Sequence, residues 1–204
     1  MQIQRLVAGT ALAFAIAFAS APANAAIIVD TGKPVGDHWV LDATQSLATR
    51  FTVTSATNLT DLTGFMFAYS APGTFTVALR ADGNTPGDVL FSDTAVAKLP
   101  FAFYGVHGAS WLVGPGSYWL SFEVRPGDTL DGYMPFGPPS PLDHGAYTED
   151  GTYYRYDDLA LGVRISGDVV AVPEPTTWAL MLTGFLGAGS ALRRARRRQV
   201  ALAA

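Results

Sequence analysis

Apolar residues that alternate with other residues at a period of two limit the fold of this sequence more than any other feature. In the segment 74–80, Phe75, Val77 and Leu79 fall on one face. The same spacing recurs in two further segments, 117–124 and 159–165. Successive side chains of a strand point to opposite sides, so this spacing predicts half-buried β-strands. Shorter runs rich in β-branched and aromatic residues predict six more strands, at 27–29, 39–41, 50–54, 62–69, 89–92 and 153–156.

Proline–glycine pairs stand between many of these runs, at 72–73, 86–87, 115–116 and 126–127. Proline presets the first angle of a turn, and glycine accepts the positive φ that follows. About nine short strands joined by such turns predict an all-β fold, an antiparallel β-sandwich, with a jelly-roll connection as the preferred topology. The Pro- and Gly-rich segment 134–150 predicts a long exposed loop.

Charge is distributed unevenly along the 204 residues. Between positions 26 and 172 there are 16 acidic and 7 basic side chains, which gives a net charge of −9. Five of the other basic residues form a C-terminal cluster, Arg193, Arg194, Arg196, Arg197 and Arg198. An acidic body argues against a nucleic-acid partner. An arginine cluster beside an apolar run is typical of a membrane flank, and a solvated tail is the alternative.

Cysteine is absent, which excludes disulfides, thiolate metal ligands and a cysteine nucleophile. It does not place the chain in the cytosol, because an exported domain of about 150 residues buries enough core to fold without disulfides.

The N-terminus has the three parts of a secretory signal. Arg5 precedes an apolar run at 6–19, and Ala23 and Ala25 supply small residues at the two positions that a signal peptidase must accept. We therefore expect a signal peptide at 1–25, cleaved after Ala25 and followed by one β-sandwich domain at 26–171. The alternative is an uncleaved anchor helix.

The apolar run at 176–192 predicts a short transmembrane helix. As a helix it would be roughly 25 Å long, against about 30 Å for the hydrocarbon core of a bilayer. Trp178 falls at its outer end, where aromatic rings favour the interface, and the arginine cluster follows its inner end. Positive charge stays cytoplasmic, so we expect the body to lie outside the inner membrane. A buried core helix is the alternative.

Two prolines stand just before this run, in Pro173-Glu174-Pro175. Proline fixes φ and disfavours a helix in the preceding residue, so we expect an extended segment that a protease can reach. The alternative is a helix-start proline.

These parts, in this order, resemble the PEP-CTERM sorting signal of Gram-negative bacteria, here residues 172–198. The match begins at Val172 and includes Pro173-Glu174-Pro175, Trp178, the apolar helix and the arginine cluster. The resemblance implies an exosortase, a membrane-embedded cysteine protease that recognises the tail and cuts near Pro-Glu-Pro. The protein is then released or passed to the cell surface, often in strains that make extracellular polysaccharide.

The body is similar to the "choice-of-anchor" surface domains in four segments, 50–53, 73–79, 82–87 and 117–120. Those β domains occur on bacterial proteins with differing C-terminal anchors. The resemblance implies a β fold and no established activity.

Local catalytic motifs are missing from the sequence. It contains no G-x-S-x-G, no H-E-x-x-H and no phosphate-binding G-x-x-x-x-G-K-[ST]. The three histidines, His38, His107 and His144, are far apart in sequence. We therefore expect a protein that is not an enzyme, with a hydrolase of unrecognised site as the alternative.

Trp119 is the main candidate for ligand binding. Its neighbours in the alternation are polar, so it falls opposite the core-facing residues. On the outer face of a sandwich it could stack on a sugar ring, with Tyr153, Tyr154 and Tyr156 extending the platform. Alternatively, Trp119 lies under a loop or supports a cross-strand pair.

Asp82, Asn84 and Asp88 place oxygen ligands close together and are weak calcium candidates. The glycine and glutamate of an EF-hand loop are not in their required places, so a polar turn is the alternative. We expect no cofactor.

Together these features predict an exported surface or extracellular-matrix protein with a structural or adhesive role. Its expected partners are signal peptidase, exosortase and, transiently, the inner membrane. The alternative function is a carbohydrate-binding module for exopolysaccharide.

Overall fold

A computed structural model describes residues 25–138, 140–142, 144–170 and 175–202, and within the C-terminal helix it describes the side chains of 179–194. The predicted signal peptide up to Asn24 and the sorting residues 172–174 lie outside the described residues. So do the side chains of Trp178 and of the last three residues of the arginine cluster.

Twelve strands and one helix make up the described chain. The strands are β1 (Ala26–Asp30), β2 (His38–Leu41), β3 (Leu47–Val53), β4 (Thr57–Ala68), β5 (Gly73–Ala81), β6 (Val89–Ala97), β7 (Ala102–Val113), β8 (Gly116–Glu123), β9 (Gly132–Pro135), β10 (Gly145–Glu149), β11 (Thr152–Arg155) and β12 (Val163–Val169), and the helix is α1 (Pro175–Leu202).

The strands form two six-stranded antiparallel sheets. In sheet I, β1 pairs with β12, and β12 pairs with β4. β4 also pairs with β7 along most of its length. Beyond the end of β12, the last residues of β4 pair with β9, which in turn pairs with β2. In sheet II the order is β11-β10-β3-β8-β5-β6. The predicted all-β sandwich is therefore confirmed.

The core lies between the two sheets. Sheet I contributes Leu62 and Met66, and sheet II contributes Phe75, Leu79 and Phe122, all fully buried. They occupy alternate positions on their strands, as the period-two pattern requires. Each such side chain stabilises the fold by about 1.5–3 kcal/mol through removal of apolar area from water.

The strands predicted at 74–80 and 117–124 are confirmed as β5 and β8. The strand predicted at 159–165 begins only at Val163. The loop predicted at 134–150 is wrong at both ends, because β9 extends to Pro135 and β10 lies in its last third, between β3 and β11. Gly145 permits this: a Cβ on it would lie 2.4 Å from the carbonyl oxygen of Leu159.

β7 is a long strand that the pattern of the sequence did not predict. A register shift opposite Leu59 and Asp61 of β4 interrupts its alternation. Next to it, Gly108 has a φ of +68°, which glycine adopts at little cost. The bulge moves the later core residues of β7 out of phase with the earlier ones, so no single alternation runs through the strand.

The side chains described in α1 do not pack on the sandwich. Leu180, Phe185, Leu186 and Leu192 are each at least 70% exposed. α1 is therefore not a core helix, the alternative considered from the sequence. Among the described residues no helical stretch combines the length and hydropathy of a bilayer-crossing segment.

Candidate functional site

Trp119 is fully buried, so the expectation of an exposed sugar-stacking ring is wrong. It belongs to a small cluster with Ala48, Ala146 and Tyr153 that is separate from the core between the sheets. Its indole Nε1 donates a hydrogen bond to the carbonyl oxygen of Gly83 at 3.2 Å. The ring thus lies on the outer side of sheet II, as the alternation predicted. A loop covers it there, which was the alternative to an exposed ring.

The three tyrosines predicted to extend a platform do not form one surface. Tyr153 is directed toward the buried carboxylate of Glu123. Tyr154 and Tyr156 are exposed and contact the ring of Tyr147. Successive side chains of an extended segment point to opposite faces, which separates Tyr153 from Tyr154 and Tyr156.

Two of the three calcium candidates, Asp82 and Asn84, already have side-chain contacts, and Asp88 accepts a hydrogen bond at its backbone carbonyl from the N–H of Ala81. Both carboxylate oxygens of Asp82 accept hydrogen bonds from Arg50, at 2.6 and 2.8 Å. The side-chain oxygen of Asn84 accepts one from Arg155 at 3.5 Å. Within the described part of the chain, no group of three or more His, Cys, Asp or Glu side chains is placed to hold a metal ion.

The histidines do not converge on one site. His38 on β2 packs edge-on against Tyr133. His107 on β7 pairs with Asp61 at 2.9 Å, and its side chain is 67% exposed. His144 precedes β10 in the other sheet. The described contacts therefore bring two histidines to sheet I and one to sheet II.

A buried ionic network surrounds Glu123 at the end of β8. The carboxylate is 6% exposed, and its Oε1 accepts hydrogen bonds from Arg80 Nε at 2.7 Å and from the Ser121 hydroxyl. The Tyr153 hydroxyl donates to the same oxygen at 3.2 Å. Arg125 Nε donates to Oε2 at 2.7 Å. The charge of Glu123 is thus paired and hydrogen-bonded on both sides.

The electrostatics of this network suit a structural role. Burial by itself raises the pKa of Glu123, but the hydrogen bonds from Arg80, Ser121 and Arg125 outweigh it and lower the pKa to about 2. Burial, with the charge of Glu123, raises the pKa of the Tyr153 hydroxyl. A general acid or base needs a pKa near the working pH. At neutral pH Glu123 therefore stays ionised and Tyr153 stays neutral.

The lowered pKa of Glu123 predicts a loss of stability in acid. A glutamate in the unfolded chain titrates near about 4.3, whereas folded Glu123 titrates near 2. The unfolded state binds the proton first, so the stabilisation is complete above about pH 5 and disappears as the pH falls toward 2. We expect a loss of roughly 3 kcal/mol across that range, measured as the denaturant midpoint against pH. The exposed Asp82 and Asp157 also have lowered pKa values, so Glu123→Gln is the control. A Glu123→Gln profile as steep as that of the wild type would contradict the assignment.

An open cleft of about 410 Å³ lies between β2 and the β10–β11 hairpin, and we call it the aromatic cleft. Trp39 of β2 and Tyr147 of β10 are its aromatic side chains, with ring centroids 4.8 Å apart in an edge-to-face contact. Its other lining residues are Thr44, Gln45, Thr148, Glu149 and Asp150. Tyr156 stacks on Trp39 at 5.4 Å and Tyr154 contacts Tyr147 at 5.9 Å, so two of the predicted tyrosines do support an aromatic site. Sequence reasoning missed Trp39 and Tyr147, which are 108 positions apart.

Both walls of the aromatic cleft are shaped by local turns, and a hydrogen bond joins them. In one wall, Asp42 accepts hydrogen bonds from the backbone N–H groups of Thr44 and Gln45. The other wall ends in the turn at Asp150 and Gly151, whose φ values of 51° and 78° are those of a two-residue hairpin turn. Ser46 N–H donates to the hydroxyl of Thr148, which joins the two walls.

A second aromatic surface covers the outer face of sheet I. The ring of Phe67 lies 4.0 Å from Phe101 and 5.5 Å from Tyr133. Phe65 continues the row to Phe103 at 5.2 Å. We call these five rings, together with Tyr69, the aromatic strip. Tyr69 at its edge is 63% exposed.

No protein-family model and no curated protein matches this chain.

Proposed function

We propose that this chain is an exported surface or extracellular-matrix protein without catalytic activity, whose sandwich has a structural or adhesive role. The observation that carries the proposal is the exposure of the apolar side chains of α1, among them Leu180, Phe185 and Leu186. A helix with exposed apolar residues needs lipid or a partner to cover it. In this chain an arginine cluster follows that helix, which favours lipid.

The proposed route uses both ends of the chain. Signal peptidase removes 1–25, the segment 176–192 enters the inner membrane, and the arginine cluster stays on the cytoplasmic side. An exosortase then recognises 172–198 as a PEP-CTERM tail and cuts near Pro173-Glu174-Pro175. The inner-membrane anchor is transient, and the β domain reaches the cell surface or the medium.

We propose a jelly-roll connection for the sandwich. Support comes from the strand orders β1-β12-β4-β7 in sheet I and β3-β8-β5-β6 in sheet II. Two Greek keys that alternate between facing sheets produce such orders. The remaining strands, β2, β9, β10 and β11, extend the sheets at the end where the aromatic cleft lies.

The absence of catalysis is also a proposal, supported by the state of the polar groups. Glu123 is paired with arginines, and its pKa of about 2 leaves it no proton to donate near neutral pH. Asp61 and His107 form a pair exposed to water, outside any enclosed site that could exclude water from a reaction.

Intact mass spectrometry tests the route. We expect the mature protein from cells and medium to lack the first 25 residues and about 30 C-terminal residues, and the C-terminal loss to require the exosortase. The Pro173→Ala, Pro175→Ala double variant should keep its tail, and Pro126→Ala, in a turn of the sandwich, should be processed normally. Full-length, water-soluble protein in the cytosol would contradict the proposal.

Carbohydrate binding is the second candidate function. Trp119 does not support it, because the ring is buried. The aromatic cleft favours it instead, because two aromatic rings and several polar side chains line one open site.

A further inference from the structure

We propose that the aromatic cleft binds a neutral saccharide built of hexopyranose rings with equatorial hydroxyls, with Trp39 and Tyr147 contacting the apolar face of a sugar ring. This inference rests on the proposed adhesive function, which it deepens by naming the class of ligand.

The size of the cleft suits a small ligand or a short part of a polymer. Its volume of about 410 Å³ falls in the range of about 300–1,000 Å³ that ligand sites occupy. Because the cleft is open rather than enclosed, a longer chain can extend out of it. A polysaccharide segment can therefore enter without threading an end into the protein.

The aromatic rings are held in place before any ligand arrives. Trp39 stacks on Tyr156 with an angle of 24° between the rings, and it meets Tyr147 edge-on at 4.8 Å. Tyr147 is in turn in contact with Tyr154 at 5.9 Å. Rings fixed by their neighbours lose little conformational entropy on binding, so more of the contact energy appears as affinity.

The polar side chains of the cleft match hydroxyl groups. Glu149 and Asp150 provide carboxylate acceptors, and the amide of Gln45 provides both donors and an acceptor. A pyranose ring has a face of C–H bonds and an edge of hydroxyls. It can therefore use the aromatic and the polar side chains of the cleft at once.

Charge selects among saccharides. None of the described residues that line the cleft is Lys or Arg. The two carboxylates, Glu149 and Asp150, repel a uronic acid or a sulfated sugar, and the net charge of −9 over residues 26–172 adds to this. The cleft should therefore bind neutral sugars in preference to anionic ones.

A quaternary ammonium ion is the rival ligand, since aromatic rings beside carboxylates attract cations. The stacked Tyr156 covers one face of Trp39, and the cleft is much larger than such a head group. These features favour a sugar, and the cation becomes an outcome of the test.

Calorimetric titration of the full-length chain tests the inference, in a polyoxyethylene detergent that has no sugar head group. The probes are cellotetraose and laminaritetraose, two neutral glucose tetramers, with tetragalacturonate as the anionic counterpart and choline chloride as the cation. We expect at least one neutral tetramer to bind with a Kd of about 1 mM or tighter. Tetragalacturonate and choline should bind at least about tenfold more weakly.

Substitutions locate the site. Trp39→Ala should weaken binding at least about tenfold. Glu149→Ala changes an exposed side chain, so we expect little effect on folding and about threefold weaker binding. Tyr69→Ala removes an exposed tyrosine from the aromatic strip and should bind as the wild type does. Because Trp39 packs partly against the core, circular dichroism must show that Trp39→Ala is folded. If Trp39→Ala does not fold, the effect of Glu149→Ala on binding is the deciding test.

The inference is overturned if neither neutral tetramer binds, if choline or tetragalacturonate binds more tightly, or if Tyr69→Ala loses binding while Glu149→Ala keeps it. The titration uses purified chain, so an unprocessed tail does not affect it. Conversely, a failed titration leaves the mass measurement of the sorting route unchanged.

Discussion

Replacing Glu123 by alanine is expected to lower the free energy of unfolding by about 3–5 kcal/mol, because removing one member of a buried ion pair leaves its partners without a counter-charge. Arg80 is 18% exposed on its side chain and would lose its strongest hydrogen bond. Arg125, Ser121 and Tyr153 would each lose an acceptor as well. The melting temperature of Glu123→Ala should fall by roughly 10 °C.

The matched control for Glu123→Ala is Asp61→Ala. Asp61 also has a partner in hydrogen-bond range, His107, but the two side chains are 37% and 67% exposed. Water screens such a pair, so its loss should cost less than about 1 kcal/mol. Chemical denaturation of the two variants beside the wild type makes the comparison. Equal effects of Glu123→Ala and Asp61→Ala would show that burial does not strengthen the Glu123 network.

Trp119→Ala is expected to destabilise the protein by about 3–5 kcal/mol, as truncation of a fully buried tryptophan usually does. The indole fills the space between sheet II and the loop 82–87, and its Nε1 holds that loop through Gly83. Without the ring, a cavity remains and the carbonyl of Gly83 loses its donor. The loop keeps a second attachment through Asp82 and Arg50, so we expect loss of stability rather than a new fold.

Trp119→Phe serves as the control, because phenylalanine retains most of the ring but donates no hydrogen bond. Its cost should be about 1–2 kcal/mol, the value of one buried hydrogen bond with a small change of volume. Denaturation midpoints measure both variants, and saccharide titration of the folded protein should show no change. A Trp119→Ala variant that kept wild-type stability and lost saccharide binding would contradict the buried, structural role and show that Trp119 contacts the ligand.

The regular alternation of the sequence was enough to predict β5 and β8, two of the strands that bear the core. Phe75, Leu79 and Phe122 were placed on the core-facing side by spacing alone, and the structure buries them there. Spacing works for these positions because the two sides of a strand differ in hydrophobicity wherever one side faces the core. It failed in β7, where the bulge at Gly108 changes the phase, and in β10, whose Gly145 and Ala146 resemble loop residues in composition.

The sites that involve several strands lay beyond the sequence. Trp119 was correctly assigned to the outer face of the sandwich, but the loop residue that covers it, Gly83, is 36 positions away in sequence. Glu123 alternates with Ser121 and Ser117 on one face of β8, a polar pattern that is also typical of a strand face exposed to water, so the sequence did not predict its burial. Its burial depends on Arg80 and Tyr153, which β5 and β11 bring to it.

By itself the sequence determined the all-β class, the acidic body and the apolar and basic composition of the two ends, because these follow from local periodicity and composition, which need no knowledge of distant neighbours. Only the tertiary structure decided which aromatic side chains are open to a ligand. Trp39 and Trp119 both lie in short strand patterns, yet one lines an open cleft and the other lies under a loop. The difference arises from which segments pair across the sheets, and pairing between distant segments is a property of the whole folded chain.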